Sequence, residues 1–273
     1  MADELVLEAT GLRKAFGDVV AVDGVDLAVP RRGSLAIVGE SGSGKTTVAK
    51  MIVGLEAPTA GTIVACGRDR SAPARGAKER RRRGGEVQIV FQDPYSSLDP
   101  RHSAVQAVDE VLRLHRPDMD KGARAARVAE LGELVGLDER QLRARPRALS
   151  GGQRQRIAIA RALAADPQVV ILDESVAALD VSIQAQILNL LADIRERTDI
   201  SYILISHDLA VVRQITDEVI VMHRGKVVER GGTADVLDHP RQPYTQLLRA
   251  SVPRPGWKPA RGPRATTEEG SVA

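Results

Sequence analysis

The apolar and polar positions change period several times along the chain, and the changes mark out elements. Residues 6–29 alternate loosely between apolar and polar side chains and are interrupted by Gly11, Gly17 and Gly24, a pattern of short strands and turns. Residues 34–38 form a short apolar run ending at Gly39, the signal of a buried strand. From 45 to 55 the spacing is helical, with Val48, Ile52 and Leu55 on one side and Gly54 marking the end. Residues 61–66 and 86–91 return to strand pattern. Between them, the Arg, Gly, Ala and Lys of 68–85 predict a solvated loop. Helical spacing then runs from 103 to 161, with breaks at Pro117, Gly136 and Pro146. Beyond it, apolar runs at 169–173, 202–205 and 219–222 alternate with helical stretches at 181–197 and 209–216. Arg224-Gly225 reads as a hairpin turn. Residues 233–250 are helical in two pieces split by Pro240 and Pro243. From 253 onward little apolar content remains, so a disordered tail is expected. Strand and helix alternating at this spacing predict an α/β fold with a largely parallel sheet.

Composition narrows this only a little. The 273 residues, 43% hydrophobic and 27% charged, suffice for one large domain or two ordinary ones. Lys and Arg number 39 against 36 Asp and Glu, a net charge of +3 that is too small to argue for a nucleic-acid partner. Aromatics at 2% disfavour a sheet that stacks bases. The single cysteine, Cys66, excludes an intramolecular disulfide framework, a Cys-rich zinc site and a Cys-ligated iron–sulfur cluster. An acidic start is unlike a signal peptide, and no run approaches the roughly 18 apolar residues of a membrane span. A cytosolic location is expected. The four arginines at 80–83 are flanked by Glu79 and Glu86 without interleaved aromatics, and read as part of the solvated loop rather than as a polyanion contact.

The order of residues carries the chemistry. Residues 39–46, GESGSGKT, fit G-x-x-x-x-G-K-[ST] between a strand and a helix. Gly39, Gly42 and Gly44 let the backbone turn so that its N–H groups, with those of Ser41, Ser43 and the helix start at Thr47, face a polyanion. Lys45 reaches outer phosphates, and Thr46 offers a hydroxyl to Mg²⁺. The glycines do not follow the dinucleotide pattern, so this is a triphosphate site with Mg²⁺, and the loop alone does not tell an ATPase from a kinase or a GTPase. Farther on, 169–172 are apolar and end in Asp173 and Glu174. A buried strand ending this way places Asp173 at the carboxyl edge of the sheet as a Mg²⁺ ligand, and Glu174 beside it to orient or deprotonate an attacking water.

The segment LSGGQ at 149–153, with a helix after it, resembles the signature of the ATP-binding subunits of ABC transporters, and its position between the phosphate loop and the acidic strand fits that family. Ser150, Gly151, Gly152 and Gln153 sit at a helix start that presents donors to an anion. In the family this surface serves the nucleotide held by the opposite subunit, so the single copy here implies a dimer. The resemblance, which spans about residues 4–250, assigns further roles. Gln92 matches the glutamine that contacts Mg²⁺ or the water. Asp180, after Ala178-Leu179, matches the loop that reports across the dimer, and His207 the switch histidine at the γ-phosphate. Phe16 matches the aromatic that stacks on adenine. His102, His115, His223 and His239 match no family role and are read as surface residues.

Within the family, the segments 91–101, 180–187 and 240–248 are similar to those of dipeptide/oligopeptide and nickel transporter ATPases, although the cysteine cluster some members carry is absent. Ser175 stands where the family usually has Pro, and Ala177 where it has Ser, which puts turnover in question more than ATP binding. The resemblance implies an ABC cassette whose mostly parallel core and antiparallel β subdomain span 4–95 and 161–232. A helical subdomain covers 96–160 and a C-terminal extension 233–252. The expected function is an ATPase powering an importer of peptides or a related small solute. It would sit on the cytoplasmic face of the membrane with a second ATP-binding subunit, two integral membrane permeases and, indirectly, an extracellular solute-binding protein, and with no nucleic acid. The alternative is a soluble ABC ATPase in a non-transport complex such as one for phosphonate degradation.

Overall fold

The computed structural model describes residues 4–93, 98–177 and 179–251. An antiparallel sheet in the order β2-β1-β4-β5 is built from β1 (Leu5–Phe16), β2 (Val19–Pro30), β4 (Ala60–Ala65) and β5 (Arg68–Asp69). A second sheet contains β3 (Ser34–Val38), β6 (Val87–Val90), β7 (Val169–Asp173), β8 (Ser201–Ser206), β9 (Glu218–His223) and β10 (Lys226–Gly232). Its order is β10-β9-β3-β8-β7-β6, parallel except for β10, which returns on β9 through the predicted Arg224-Gly225 turn.

Every residue of β3, β7 and β8 is buried, as a parallel strand covered on both faces requires. The strand period of two then divides their side chains between two cores. Ala36, Val38, Val170, Leu172, Tyr202 and Leu204 face one core. Leu35, Ile37, Val169, Ile171, Ile203 and Ile205 face the other, where they meet Leu7, Leu12, Val25 and Ile63 of the antiparallel sheet. Helix α1 (Lys45–Val53) sends Val48, Ala49, Met51 and Ile52 into this second core. A one-residue slip of any central strand would exchange its two apolar sets, so the register is firmly specified.

Helix α2 (Gly76–Glu86) precedes β6. After β6 come α3 (Ala104–His115), α4 (Lys121–Leu134), α5 (Glu139–Arg143), a 3₁₀ turn (Pro146–Ala148) and α6 (Gly151–Leu163). Ser103 and Asp138 open α3 and α5 with capping boxes, and Asp120 caps α4. Val108, Leu112, Val128, Leu131 and Leu142 of these helices belong to the same apolar cluster as one face of the central sheet. The remaining helices among the described residues are α7 (Val181–Arg197), α8 (Leu209–Ile215), α9 (Thr233–Asp238) and α10 (Pro243–Ala250).

The structure corrects three sequence expectations. The N-terminal stretch is two strands of 12 residues each, not several short ones. Register shifts along their pairing break the alternation that would have announced them. Leu55 lies beyond the end of α1 and is 62% exposed. Residues 68–85 are not a solvated loop: they hold β5 and α2. The arginine run lies on that helix, and Arg83 is buried, donating to the Ala72 carbonyl at 2.7 Å and to Glu79 at 2.5 Å. Arg70, also buried, pairs with Glu86. Charges rather than an apolar face dock this helix. The expected tail lies outside the described residues, as do Pro94, Tyr95, Ser96, Ser97 and Ala178 of the family-like segments.

Candidate functional site

In the central sheet Val38 pairs with Ser206, Asp173 with Ile205 and Val90 with Leu172. The residues that follow, Gly39, His207, Glu174 and Gln92, therefore leave the sheet at one carboxyl edge, where open α/β sheets bind their ligands.

The phosphate loop is shaped by contacts only glycine permits. A Cβ on Gly39 (φ 150°) would stand 2.2 Å from the Met222 carbonyl, and one on Gly44 (φ 103°) 2.5 Å from the Ala21 carbonyl. Gly42 has φ 80° but faces open space. The backbone is thus wedged between β9 and β2. The Gly225 N–H donates to the Ser43 carbonyl at 3.1 Å while its own carbonyl accepts from Asp23 at 2.8 Å, so the β9–β10 turn ties loop and hairpin together. Lys45 is buried, and its ammonium donates to the carbonyls of Gly39 and Glu40, both at 2.8 Å. Burial pulls its pKa down, against the pull of Glu174, Asp173 and Glu40. Ser43 Oγ is buried without a partner, whereas Ser41 and Thr46 are exposed and Thr47 half-buried. The first N–H groups of α1 have no carbonyl a turn earlier to accept them. A helix N-terminus beside a lysine suits a polyphosphate.

The acidic strand end meets this loop. The Thr46 hydroxyl lies 3.4 Å from Asp173 Oδ1. Burial, then the neighbouring Glu174 charge, push the Asp173 carboxyl above its usual range, with the Thr46 bond and Lys45 opposing. Glu174 adopts φ 47°, a conformation that costs a non-glycine residue about 1–2 kcal/mol. Its N–H donates to the Ile205 carbonyl at 2.9 Å, and its carboxylate lies 3.5 Å from His207 Nδ1. No group of three or more His, Cys, Asp or Glu gathers as a metal site among the described residues. A hydroxyl and one carboxylate are the sparse oxygen set that suits Mg²⁺, which keeps several waters and takes substrate phosphates.

The signature lies at the start of α6. Ser150 Oγ accepts from the Gln153 N–H at 3.3 Å, and Gln153 Oε1 from the Ser150 N–H at 2.9 Å, a closed capping box. A Cβ on Gly152 would come within 2.6 Å of Ile183 Cγ2, so this glycine lets α6 approach α7; Gly151 has room. Asp180 is exposed at the N-cap of α7. Gln92 is exposed where β6 ends. Phe16 closes β1, 49% exposed, with Lys14 Nζ 4.8 Å from its ring centroid. The structure gathers Lys45, Thr46, Asp173, Glu174 and His207 into one cluster, while the signature bonds to its own helix and packs on α7.

The family model described as ABC transporter matches residues 22–177. The chain belongs to the ABC transporter family. The cassette is 46% identical over 244 residues to the oligopeptide transport ATP-binding protein OppD of Mycobacterium tuberculosis, covering 89% of this chain but 39% of OppD. It thus spans well under half of that relative's length. With the dipeptide transport ATP-binding protein DppF of Escherichia coli it shares 44% identity over 236 residues, 86% of this chain and 70% of DppF. Among solved structures, the dimeric post-hydrolysis state of the ATP-binding cassette MJ0796 bound to ADP and Pi superposes with a TM-score of 0.74 at 28% identity. That match covers 83% of this chain and 98% of MJ0796. The α/β fold with a largely parallel sheet is the one the residue pattern predicted, and the cassette with its added antiparallel sheet is the one the family resemblance implied. No described helix is long and apolar enough to cross a membrane.

Two site neighbours escaped the sequence. Tyr244 of α10 accepts a hydrogen bond from the Glu40 N–H at 3.0 Å, and its ring packs on His223 with centroids 4.0 Å apart. His223 is thus part of a contact beneath the phosphate loop, not an idle surface residue. The 204-residue separation of Glu40 and Tyr244 hides the pairing from any local pattern.

Proposed function

We propose that this cassette hydrolyses ATP to power an importer of di- or oligopeptides. The observation that carries the reading is the convergence of Lys45, the Thr46–Asp173 pair and the Glu174–His207 pair at one sheet edge. Lys45 and the loop N–H groups hold the outer phosphates. Thr46 and Asp173 would hold Mg²⁺, with Gln92 adding a ligand to the ion or the water; the ion spreads the charge that develops on the phosphates. Glu174 orients the attacking water and takes its proton. His207, kept near Glu174, faces the γ-phosphate. Phe16 offers its exposed ring to the adenine. The signature residues 150–153 and Asp180 serve the nucleotide of a second cassette, so two cassettes close around two ATP. That closure drives two membrane permeases, which receive peptide from a solute-binding protein, with the cassettes on the cytoplasmic face. The helical segment 96–160 is the contact for the permeases. Ser175 and Ala177 slow turnover without removing a phosphate or metal ligand.

Support for peptide import comes from the names of the relatives OppD and DppF, an oligopeptide and a dipeptide transport ATP-binding protein. The test is purification of the full chain from its own cells. Integral membrane permeases should accompany it, and reconstituted vesicles should hydrolyse ATP faster when the solute-binding protein delivers peptide. Recovery with only a soluble enzyme core would replace this reading with a non-transport one.

A further inference from the structure

The phosphate loop is gripped from outside the core by the C-terminal extension. Lys45 holds the Gly39 and Glu40 carbonyls from within the loop. On the other side, the Glu40 N–H is taken by the Tyr244 hydroxyl. The Gly39–Glu40 peptide unit at the mouth of the loop is therefore fixed at both its carbonyl and its amide end, and the next unit at its carbonyl. Tyr244 is itself firmly placed. The Glu229 carboxylate accepts from the N–H groups of Arg241 and Gln242 at 2.7 and 3.2 Å, fixing the approach to α10. Pro243 stands in the first turn of α10 and presets its backbone. Gln246 bonds the Pro240 carbonyl at 3.0 Å, and Arg249 the Asp238 carbonyl at 2.7 Å, locking α10 to α9. The Tyr244 ring packs on the core and on His223, one residue from the Met222 carbonyl against which Gly39 is wedged.

We infer that Tyr244 is a positioning residue for nucleotide binding: it holds the phosphate loop open, with Lys45 in place, before the nucleotide arrives. Pre-forming the loop removes an ordering cost from binding. The coupling is reciprocal, so nucleotide binding tightens the docking of residues 233–251, and any force that lifts α10 weakens the nucleotide. The extension thereby becomes a second input to the site, reaching it through one hydroxyl. This inference rests on the phosphate-loop reading above.

The test compares Tyr244→Phe, which keeps the ring and removes the acceptor, with Lys45→Ala and with Leu247→Ala, a control on the exposed side of α10. Binding of a fluorescent ATP analogue with Mg²⁺ is titrated, and amide hydrogen exchange is followed over the loop in nucleotide-free protein. One uncharged hydrogen bond predicts a Kd about three- to tenfold weaker in Tyr244→Phe. The turnover rate at saturating ATP should be unchanged, the sign of lost uniform binding. The Glu40 amide should exchange faster, the melting temperature should hold, and Leu247→Ala should match the wild type. If Lys45→Ala loses binding while Tyr244→Phe keeps the wild-type Kd and Glu40 protection, the inference falls alone. If Lys45→Ala binds as well as the wild type, the phosphate-loop reading falls and the inference with it. A fall in melting temperature with unchanged affinity assigns Tyr244 a structural role only and also overturns it.

Discussion

Gly152 stands in the signature, yet its nearest constraint is packing. Replacing it with Ala puts a methyl group 2.6 Å from Ile183 Cγ2, a contact that forces α6 and α7 apart or Ile183 out of its rotamer. Overpacking of this kind costs about 1–3 kcal/mol, offset by up to about 1 kcal/mol of helix propensity. The net loss expected for Gly152→Ala is about 1–2 kcal/mol. For a chain of this size that lowers the melting temperature by about 2–8 °C. Ile183→Ala removes the colliding carbon. Ile183 is half-buried, so alone it should cost about 1–2 kcal/mol, less than a fully buried isoleucine. In the double variant the clash is gone, so its loss should be smaller than the sum of the singles by about 1–2 kcal/mol. Urea denaturation of the four proteins measures this coupling. Additive singles, or a Gly152→Ala protein more stable than the wild type, would refute the packing argument. Turnover of the double variant then separates the roles: stability regained without ATPase activity shows that the second cassette also needs this surface bare.

Three further outcomes follow from the geometry. Gly39→Ala should destabilise the fold by about 2–4 kcal/mol and abolish ATP binding, because its Cβ meets backbone; Gly42→Ala should cost only the about 1–2 kcal/mol of a positive φ, and paired thermal melts with nucleotide titration check the contrast. The native Asp173 carboxyl holds its proton more tightly than the unfolded value of 3.8, so its contribution to stability is present below that pH and lost as pH rises through the native pKa. Asp173→Asn should therefore melt higher than the wild type at pH 7 in nucleotide-free protein, with the gap closing toward pH 4; a gap independent of pH contradicts the account. Glu86→Gln strands the buried Arg70 and should cost about 3 kcal/mol, read as a lowered urea midpoint, whereas an exposed pair such as Arg143–Glu139 should give less than about 1 kcal/mol when broken.

Much of the site was legible because its parts are local. The strands at 34–38, 169–173 and 201–206 are buried on both faces and so read as unbroken apolar runs. Each ends at, or one residue before, a residue that the chemistry needs, and parallel pairing brings those ends together. What could not be read lies in long-range contacts. Helix α2 has almost no apolar face and is held by Arg83, Arg70, Glu79 and Glu86, so its composition resembles that of a loop. Gln153 closes a capping box and Gly152 accommodates Ile183; a family role alone did not foretell these duties. Tyr244 and His223 reach the phosphate loop only through the fold.

The central claim is that Glu174 drives hydrolysis at a site completed by a second cassette. Glu174→Gln protein should bind ATP with wild-type affinity, lose nearly all turnover, and double in mass by light scattering when ATP and Mg²⁺ are added. Turnover at the wild-type rate, or a monomer that persists with saturating ATP bound, would contradict it.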